Sequence, residues 1–330
     1  MAHRGRLQGA LGAAAVAGLL LALAACNKEH PPTAAVGEAS KPASTLTFAL
    51  VSHANAGDKY WDVVKNGEEQ AGSDLGVKVT YHGSGNPQKQ AQLIDLAISQ
   101  KVDGLIVSMA NPEALRASIQ KAIQAGIPVI TIDSGVEKST ELGALTHVGQ
   151  MEKIAGHAAG ERLVKKGIKR VVCVIHEAGN VGLEERCAGA KEALNGQVEN
   201  LQVSISDLAS ATSTMAAKLQ SDPSVEGMLT LNNALATAAV NAVVRANRPT
   251  VALATFDVDG NVLASIEGGK ILFAIDQQPF LQGYLPVVFL KLYRTNGATV
   301  GGGQPILTGP GFIDQSNVEQ VRKFALQGVR

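Results

Sequence analysis

Two pairs of side chains in this sequence are suited to holding a polar ligand. Tyr60 stands beside Trp61, the only tryptophan in a chain with 4% aromatic residues. Asp133 and Asp257 each follow directly on an apolar, β-branched run. An aromatic face packs against apolar ligand surface, and a carboxylate accepts strong hydrogen bonds. These residue types suit a site that binds a polar ligand.

Two amides and a guanidinium extend this set of ligand-binding candidates. Asn232 and Gln277 also follow apolar runs, and each amide donates and accepts hydrogen bonds at once, as paired hydroxyl groups require. Arg186 carries a rigid fork of donors. The neighbours Glu184 and Glu185 leave open a second interpretation, in which Arg186 forms an ion pair on a helix surface.

Signatures of common catalytic and metal sites are missing from the sequence. It contains no nucleophile elbow, no phosphate-binding loop of the GxxxxGKS/T type and no paired metal motif. His53, His82, His147 and His176 lie at or near strand ends, but they lack the close spacing of zinc ligands. We therefore expect no metal and no cofactor, and we expect His53 simply to line the ligand-binding cleft.

The predicted elements that would position these side chains alternate regularly along the chain. Apolar strands are predicted at 46–51, 77–81, 104–108 and 127–132, with helices at 59–75, 87–100 and 112–125. Continuous apolar strands separated by amphipathic helices indicate a parallel sheet covered on both faces. Ligands of such sheets bind beyond the carboxyl ends of the strands, which is where Asp133 stands.

A second set of alternating elements follows residue 149. Strands are predicted at 170–175, 201–204, 227–231 and 251–256, with a helix at 153–166 and further helices starting near Val181, Ala211 and Ala234. The predicted fold class is therefore α/β, with two Rossmann-like parallel-sheet lobes.

The amino terminus has the pattern of an export signal. Two arginines precede an unbroken apolar run at 19–25, and Cys26 comes directly after small residues, as in the bacterial lipobox. The pattern predicts a signal peptide over 1–25 and acylation of Cys26, which would anchor the protein to a membrane. Prolines and scattered polar residues over 26–45 predict a flexible linker. A simple secretory leader and an uncleaved anchor helix are the alternatives.

Charge and cysteine content limit the partners and the compartment. The chain has 29 basic and 29 acidic residues and no basic patch, which argues against binding to nucleic acid. An extracytoplasmic compartment would permit a disulfide between Cys173 and Cys187. Two buried free thiols are the alternative.

Several short segments between residues 46 and 327 match a family pattern in their order and spacing. They are Tyr60-Trp61, Lys65-Asn66-Gly67, Asp103–Val107, Ala125–Asp133, Arg186 with Gly189, Leu231–Asn233, Thr255–Asp257, Gly269-Lys270 and Ile275–Pro279. In this series the chain resembles the type I periplasmic sugar-binding proteins, the family of the ribose- and galactose-binding proteins.

The resemblance implies two lobes joined by a three-crossing hinge and closing over a ligand. The crossings would fall near 148–150, 276–278 and 304–306. An N-terminal lobe would then take 46–148 plus 278–304, and a C-terminal lobe would take 149–277 plus 305–330.

The resemblance also implies roles for the candidate side chains. Trp61 occupies the position of a ring that stacks on the sugar, with Tyr60 beside it, and core packing is the alternative for both. The buried stripe of this helix includes Tyr60 more naturally than Trp61, which should lie about 100° off the core face. Asp133 and Asp257 would accept bonds from sugar hydroxyls, and Arg186 would reach into the cleft. Helix capping or a surface position is the alternative for Asp133.

Together, the leader and the resemblance predict a monomeric, lipid-anchored receptor at the periplasm or cell surface. It would capture a monosaccharide and deliver it to the permease of an ABC importer. A sensor for a furanosyl signal or a polyol is the alternative, whereas an enzyme or a DNA-binding regulator is disfavoured. Gln150 stands where an aspartate is common, and Asp58-Lys59 replaces a usual Asn-Pro, so the ligand stays open. Lys59 would face either an anionic group or, as we favour, solvent.

Overall fold

The computed structural model describes residues 45–55 and 57–330, which form two α/β lobes. The predicted signal peptide over 1–25, the acylated Cys26 and the linker up to residue 44 lie outside the described residues. Within the described part of the chain, none of the helices combines the length and apolarity that a membrane span requires.

The first lobe begins with five strands and the helices that connect them. Its elements are β1 (Thr47–Ser52), α1 (Lys59–Leu75), β2 (Lys78–Gly83), α2 (Pro87–Ser99), β3 (Gly104–Ser108), α3 (Pro112–Gln124), β4 (Val129–Asp133), α4 (Val136–Ser139) and β5 (Thr146–Gly149).

The second lobe repeats this alternation. Its elements are α5 (Glu152–Lys165), β6 (Val171–Ile175), α6 (Val181–Ala193), β7 (Val198–Gln202), α7 (Leu208–Ser221), β8 (Gly227–Thr230), α8 (Asn233–Arg245), β9 (Ala252–Phe256), α9 (Gly260–Glu267) and β10 (Phe273–Asp276). The chain ends with α10 (Pro279–Asn296), a short 3₁₀ turn (Gly301–Gly303), β11 (Ile306–Leu307), β12 (Gly311–Ile313) and α11 (Val318–Leu326).

The two sheets have the same strand order. The first runs β11-β5-β4-β3-β1-β2 and the second runs β12-β10-β9-β8-β6-β7, and every pair is parallel except β10 with β12. Successive residues of β1 alternate between two apolar clusters, with Phe48 and Leu50 on one face and Ala49 and Val51 on the other. In both sheets the strand order reverses beside the first strand, where open α/β sheets place their ligands.

The third chain crossing lies later than the sequence predicted. Ile306 pairs with Val148 of β5, and the backbone N–H of Thr308 donates to Gly149 O at 2.7 Å. Residues 306–307 therefore belong to the first sheet, and the chain passes to β12 of the second lobe only at 308–310. The prediction of a crossing at 304–306, with 305–330 in the second lobe, is wrong at this point. A two-residue strand carries too little periodicity to be seen in a sequence.

Glycines let two pairs of helices pack backbone against backbone. A Cβ at Gly156 of α5 would collide with the carbonyl group of Arg186, and one at Gly189 of α6 would collide with that of Lys153. In the same way, Gly67 of α1 and Gly283 of α10 let those two helices pack backbone against backbone. This close approach fixes the distance between α5 and α6 at the position of Arg186.

The second lobe contains a disulfide between Cys173 of β6 and Cys187 of α6, which are 14 residues apart. The sequence left this disulfide and two free thiols as alternatives, and the structure has the disulfide. It ties the helix that carries Arg186 to the central part of the second sheet.

Replacing both Cys173 and Cys187 by alanine is expected to lower the free energy of unfolding by about 3 kcal/mol, because the crosslink closes a loop of roughly 15 residues in the unfolded chain. Urea unfolding of the variant and of the oxidised wild type measures the difference. Reduced wild type should unfold near the variant's midpoint, and equal free energies for the variant and the oxidised protein would contradict the prediction.

Candidate functional site

A cavity lies between the carboxyl ends of the two sheets. All seven sequence candidates line it: Tyr60, Trp61, Asp133, Arg186, Asn232, Asp257 and Gln277. Ten further residues complete the lining: His53, Asn55, Asp58, Ser134, His176, Glu177, Asn180, Leu183, Ile205 and Leu231. Both lobes therefore contribute polar groups to one shared cavity.

The aromatic pair lies on the first turn of α1. Trp61 makes edge-to-face contacts with His53 and Tyr60, with ring centroids 4.9 and 5.1 Å apart. Both residues of the pair are buried in the same apolar cluster, as the sequence predicted for Tyr60; the expectation that Trp61 lies off the core face is wrong. The Tyr60 hydroxyl lies 3.0 Å from Asp133 Oδ1 and 3.1 Å from Gln282 Oε1. Burial and the nearby Asp133 keep the pKa of Tyr60 well above its usual value, so Tyr60 is a neutral donor.

Asp133 and Asp257 hold equivalent places in the two lobes. Asp133 ends β4 and Asp257 follows β9, and their φ angles are 61° and 64°. This left-handed conformation strains most side chains, but Asp and Asn tolerate it. Both carboxylates are more than nine-tenths buried. The backbone therefore turns at the end of each strand and presents a carboxylate to the cavity.

The hydrogen-bond partners of the two carboxylates differ. Asp133 Oδ2 lies 2.9 Å from Ser134 Oγ, so both of its oxygens have partners when the Tyr60 contact is included. Asp257 Oδ1 accepts from Gln277 Nε2 at 2.9 Å. Burial raises the pKa of Asp257 to about 7, against the lowering effect of Arg186.

The ionisation of Asp257 gives a testable pH dependence. Because its folded-state pKa lies above the usual 3.8, the folded protein holds this proton more tightly than the unfolded chain does. Stability is therefore lost as the pH rises from about 4 through about 7. Asp257→Asn removes this loss, so the ligand-free variant should exceed wild type by on the order of 2–4 kcal/mol at pH 8 and match it near pH 4.

Urea unfolding between pH 4 and pH 8 checks the Asp257 prediction. Asp62→Asn is the matched control, because the Asp62 side chain is 57% exposed and pairs with Lys59 outside the cavity. A stability difference between Asp257→Asn and wild type that stays constant with pH would contradict the assignment.

Arg186 reaches the cavity as half of a buried ion pair. Its Nε and Nη2 donate to Glu152 Oε2 and Oε1 at 2.5 and 2.9 Å, and Gln150 Nε2 donates to the same carboxylate at 2.9 Å. Burial opposes the charge on Arg186, but Glu152 outweighs it and holds the pKa of Arg186 above its usual range. The alternative of a surface pair with Glu184 or Glu185 is wrong, because Arg186 is 3% exposed and its partner is Glu152.

Three helix N-caps form another part of the lining. Asp58 caps α1, Asn180 caps α6 and Asn232 caps α8, each accepting from a backbone N–H of the first turn. Asn232 Oδ1 is used by Ala234 N at 2.7 Å, which leaves its amide nitrogen for the cavity. The sequence identified Asn232 but missed the other two as site residues. The partial positive charge of a helix N-terminus suits a carboxylate such as Asp58, whose pKa burial raises to about 6.

The lobes touch directly at the rim of the cavity. His53 Nε2 lies 3.7 Å from Asp133 Oδ2 in its own lobe and 3.7 Å from Glu177 Oε2 in the other. The backbone N–H of Val181 donates to Ala110 O at 3.0 Å across the same boundary. His53 lines the cavity, as expected.

Two other candidates lie away from the cavity. His147 is buried in the first lobe, where burial lowers its pKa to about 4. Lys59 pairs with Asp62 at 3.0 Å and is exposed, in agreement with the solvent-facing interpretation. Across residues 45–55 and 57–330, no group of three or more His, Cys, Asp or Glu side chains is arranged to hold a metal ion.

Comparison with known proteins identifies a family model and relatives that match this chain. The family model described as "Periplasmic binding protein domain" matches residues 48–297. The xylose/arabinose-binding protein of Sulfolobus acidocaldarius is 31% identical over 244 residues, which cover 68% of this chain and 60% of that protein. The ribose import binding protein of Bacillus subtilis is 28% identical over 271 residues, covering 81% of this chain and 87% of that protein.

A solved structure is similar over nearly the whole described range. The carbohydrate transporter from Acidothermus cellulolyticus in complex with myo-inositol is 42% identical, with a TM-score of 0.85. The match covers 87% of this chain and 100% of that one.

Proposed function

Because the chain belongs to the periplasmic binding protein family, we propose that it captures a small neutral polyol, a monosaccharide or a cyclitol, between its lobes. The observation that carries this proposal is the convergence of carboxylates, amides, one guanidinium and one indole ring on a single interlobe cavity. Hydroxyl groups need such paired donors and acceptors, and the apolar faces of a ring pack against an aromatic side chain.

Each predicted site residue has a proposed role that fits its position. Asp133 and Asp257 accept from hydroxyl groups on the two sides of the ligand, and Arg186, Asn232 and Gln277 supply donors. Trp61 packs against the ring, and Tyr60 orients Asp133 through its hydroxyl, 3.0 Å from the carboxylate.

The proposed ligand class rests on the relatives. One is a xylose/arabinose-binding protein, one is a ribose import binding protein, and the solved structure is in complex with myo-inositol. We place a cyclitol beside the monosaccharides because the myo-inositol complex is the 42% identical structure.

We also propose that the protein acts outside the cytoplasm, anchored through an acylated Cys26, and delivers its ligand to the permease of an ABC importer. The leader pattern at 1–25 supports export, and the family supports the transport role. Its action is reversible binding, in which closure of the lobes couples capture to docking on the permease.

Isothermal titration and thermal unfolding of a chain starting at residue 27 test the ligand class, since both lobes lie within 45–330. The probes are myo-inositol, D-ribose, D-xylose and L-arabinose, with an amino acid mixture as control. We expect one of the polyols to bind saturably without being chemically converted. At 100 times its Kd it should stabilise the fold by about 2.7 kcal/mol. Stabilisation by amino acids alone would overturn the proposal.

A further inference from the structure

The cavity has more carboxylates than its basic groups can neutralise. Asp58, Asp133, Glu177 and Asp257 all line it, and Arg186 is the single arginine or lysine in the same lining. Charges in an enclosed site interact far more strongly than charges in water. The balance of charge inside the cavity therefore bears directly on which ligands enter.

The positive charge of Arg186 is already paired with a carboxylate of the protein itself. Glu152, 1% exposed and outside the lining, accepts from Nε and Nη2 of Arg186 at 2.5 and 2.9 Å. Of the two lining histidines, His176 stays neutral because burial lowers its pKa to about 3. His53 lies between Asp133 and Glu177, so a proton on it would offset only one of four carboxylates.

Two buried side chains present unused hydrogen-bonding atoms to the cavity. Asn232 is 3% exposed, and among the described residues its amide nitrogen has no hydrogen-bond partner. Asp257 is 7% exposed, and in the same range the one hydrogen bond of its carboxylate is the bond from Gln277 to Oδ1. The free oxygen of Asp257 is therefore an acceptor that the protein leaves for a ligand.

Resting on the proposed function, we infer that the cavity excludes polyols bearing an acid group and accepts an ammonium group in place of a hydroxyl. An amino sugar or an aminocyclitol is then a second ligand class, with Asp257 as the acceptor of its ammonium group. An ammonium offers three donors and a charge to the excess carboxylates. A carboxylate or phosphate on the ligand would instead meet like charge from the cavity's carboxylates, and this charge grows as Asp58 and Asp257 ionise.

The experiment compares three matched ligands in two series by isothermal titration at low salt. One series is myo-inositol, an aminodeoxyinositol and myo-inositol 1-phosphate, and the other is D-glucose, D-glucosamine and D-glucuronate. In a series whose neutral parent binds, the ammonium member should bind about tenfold more tightly and the acid member more than 100-fold more weakly. The ammonium preference should change little in 0.5 M salt, because salt screens buried charges much less than exposed ones.

Variants assign the effect to Asp257. Asp257→Asn should lower the affinity ratio of ammonium to neutral ligand, whatever it does to both affinities. Asp62→Asn, the same change on an exposed side chain of α1, should leave the ratio unchanged. The ratio should also grow from pH 6 to pH 8 as Asp58 and Asp257 ionise. The charged groups that act on Asp257 are Arg186, Asp133 and Asp58.

The outcomes separate the inference from the proposed function. If a neutral parent binds but its ammonium form binds no better, or its acid form binds equally well, the charge inference is wrong and the receptor function stands. If no member of either series binds, the series is built instead on whichever of D-ribose, D-xylose and L-arabinose binds; if none of these binds either, the proposed function fails and the inference fails with it.

Discussion

Replacing Glu152 by alanine is expected to lower the free energy of unfolding by about 3–5 kcal/mol, because the change strands a buried charge. Arg186 is 3% exposed, and Glu152 is the carboxylate that its forked donors contact. A single salt bridge on the surface would contribute far less, at most about 1 kcal/mol.

Urea unfolding of three variants tests this account. Glu161→Ala, an exposed position on the same helix, should change stability by less than about 0.5 kcal/mol. Replacing Glu152 and Arg186 together by methionine removes both charges while keeping volume, so most of the lost stability should return. The double variant should still bind ligand poorly, since the guanidinium is gone. A loss below about 1 kcal/mol for Glu152→Ala would show that water reaches Arg186.

The sequence predicted the alternating fold well where the apolar pattern is strong. The helix at 59–75 and the strand at 104–108 have the predicted bounds. The strand predicted at 201–204 lies instead at Val198–Gln202. It is an edge strand with one fully buried residue, so its pattern carries little signal. The helix expected near Ala211 begins at Leu208, because Asp207 caps it by accepting from Ser210 N.

The candidate site was predictable where a residue type is unusual for its position. A carboxylate directly after a buried strand is conspicuous, and so is the only tryptophan. Asp58 and Asn180 were missed because a helix cap has the same sequence pattern whether or not it also faces a cavity. Glu152 was missed for a different reason. Its partner lies 34 residues away, and only the glycine-mediated approach of α5 and α6 brings them together.

Asp133→Ala is expected to abolish ligand binding while the protein stays folded. A hydrogen bond to a charged acceptor contributes roughly 1.5–3 kcal/mol, and Asp133 is proposed to accept from hydroxyl groups of the ligand. Asp133→Asn separates charge from shape, because asparagine tolerates the φ of 61° that the backbone holds at this position. We expect its affinity to fall about 100-fold, which corresponds to losing roughly 2.7 kcal/mol of charged hydrogen bonding.

Titration calorimetry and urea unfolding, run in parallel, distinguish a lost contact from a lost fold. Asp95→Asn, an exposed change on α2, is the matched control and should keep wild-type affinity. Alanine at a φ of 61° adds strain of about 1–2 kcal/mol, so Asp133→Ala should be less stable than Asp133→Asn. If Asp133→Asn keeps native affinity and only Asp133→Ala loses it, Asp133 acts through the backbone turn and not through its charge. Native affinity in Asp133→Ala would mean that the ligand binds elsewhere, since a buried carboxylate at the centre of the cavity cannot be removed without effect if it contacts the ligand.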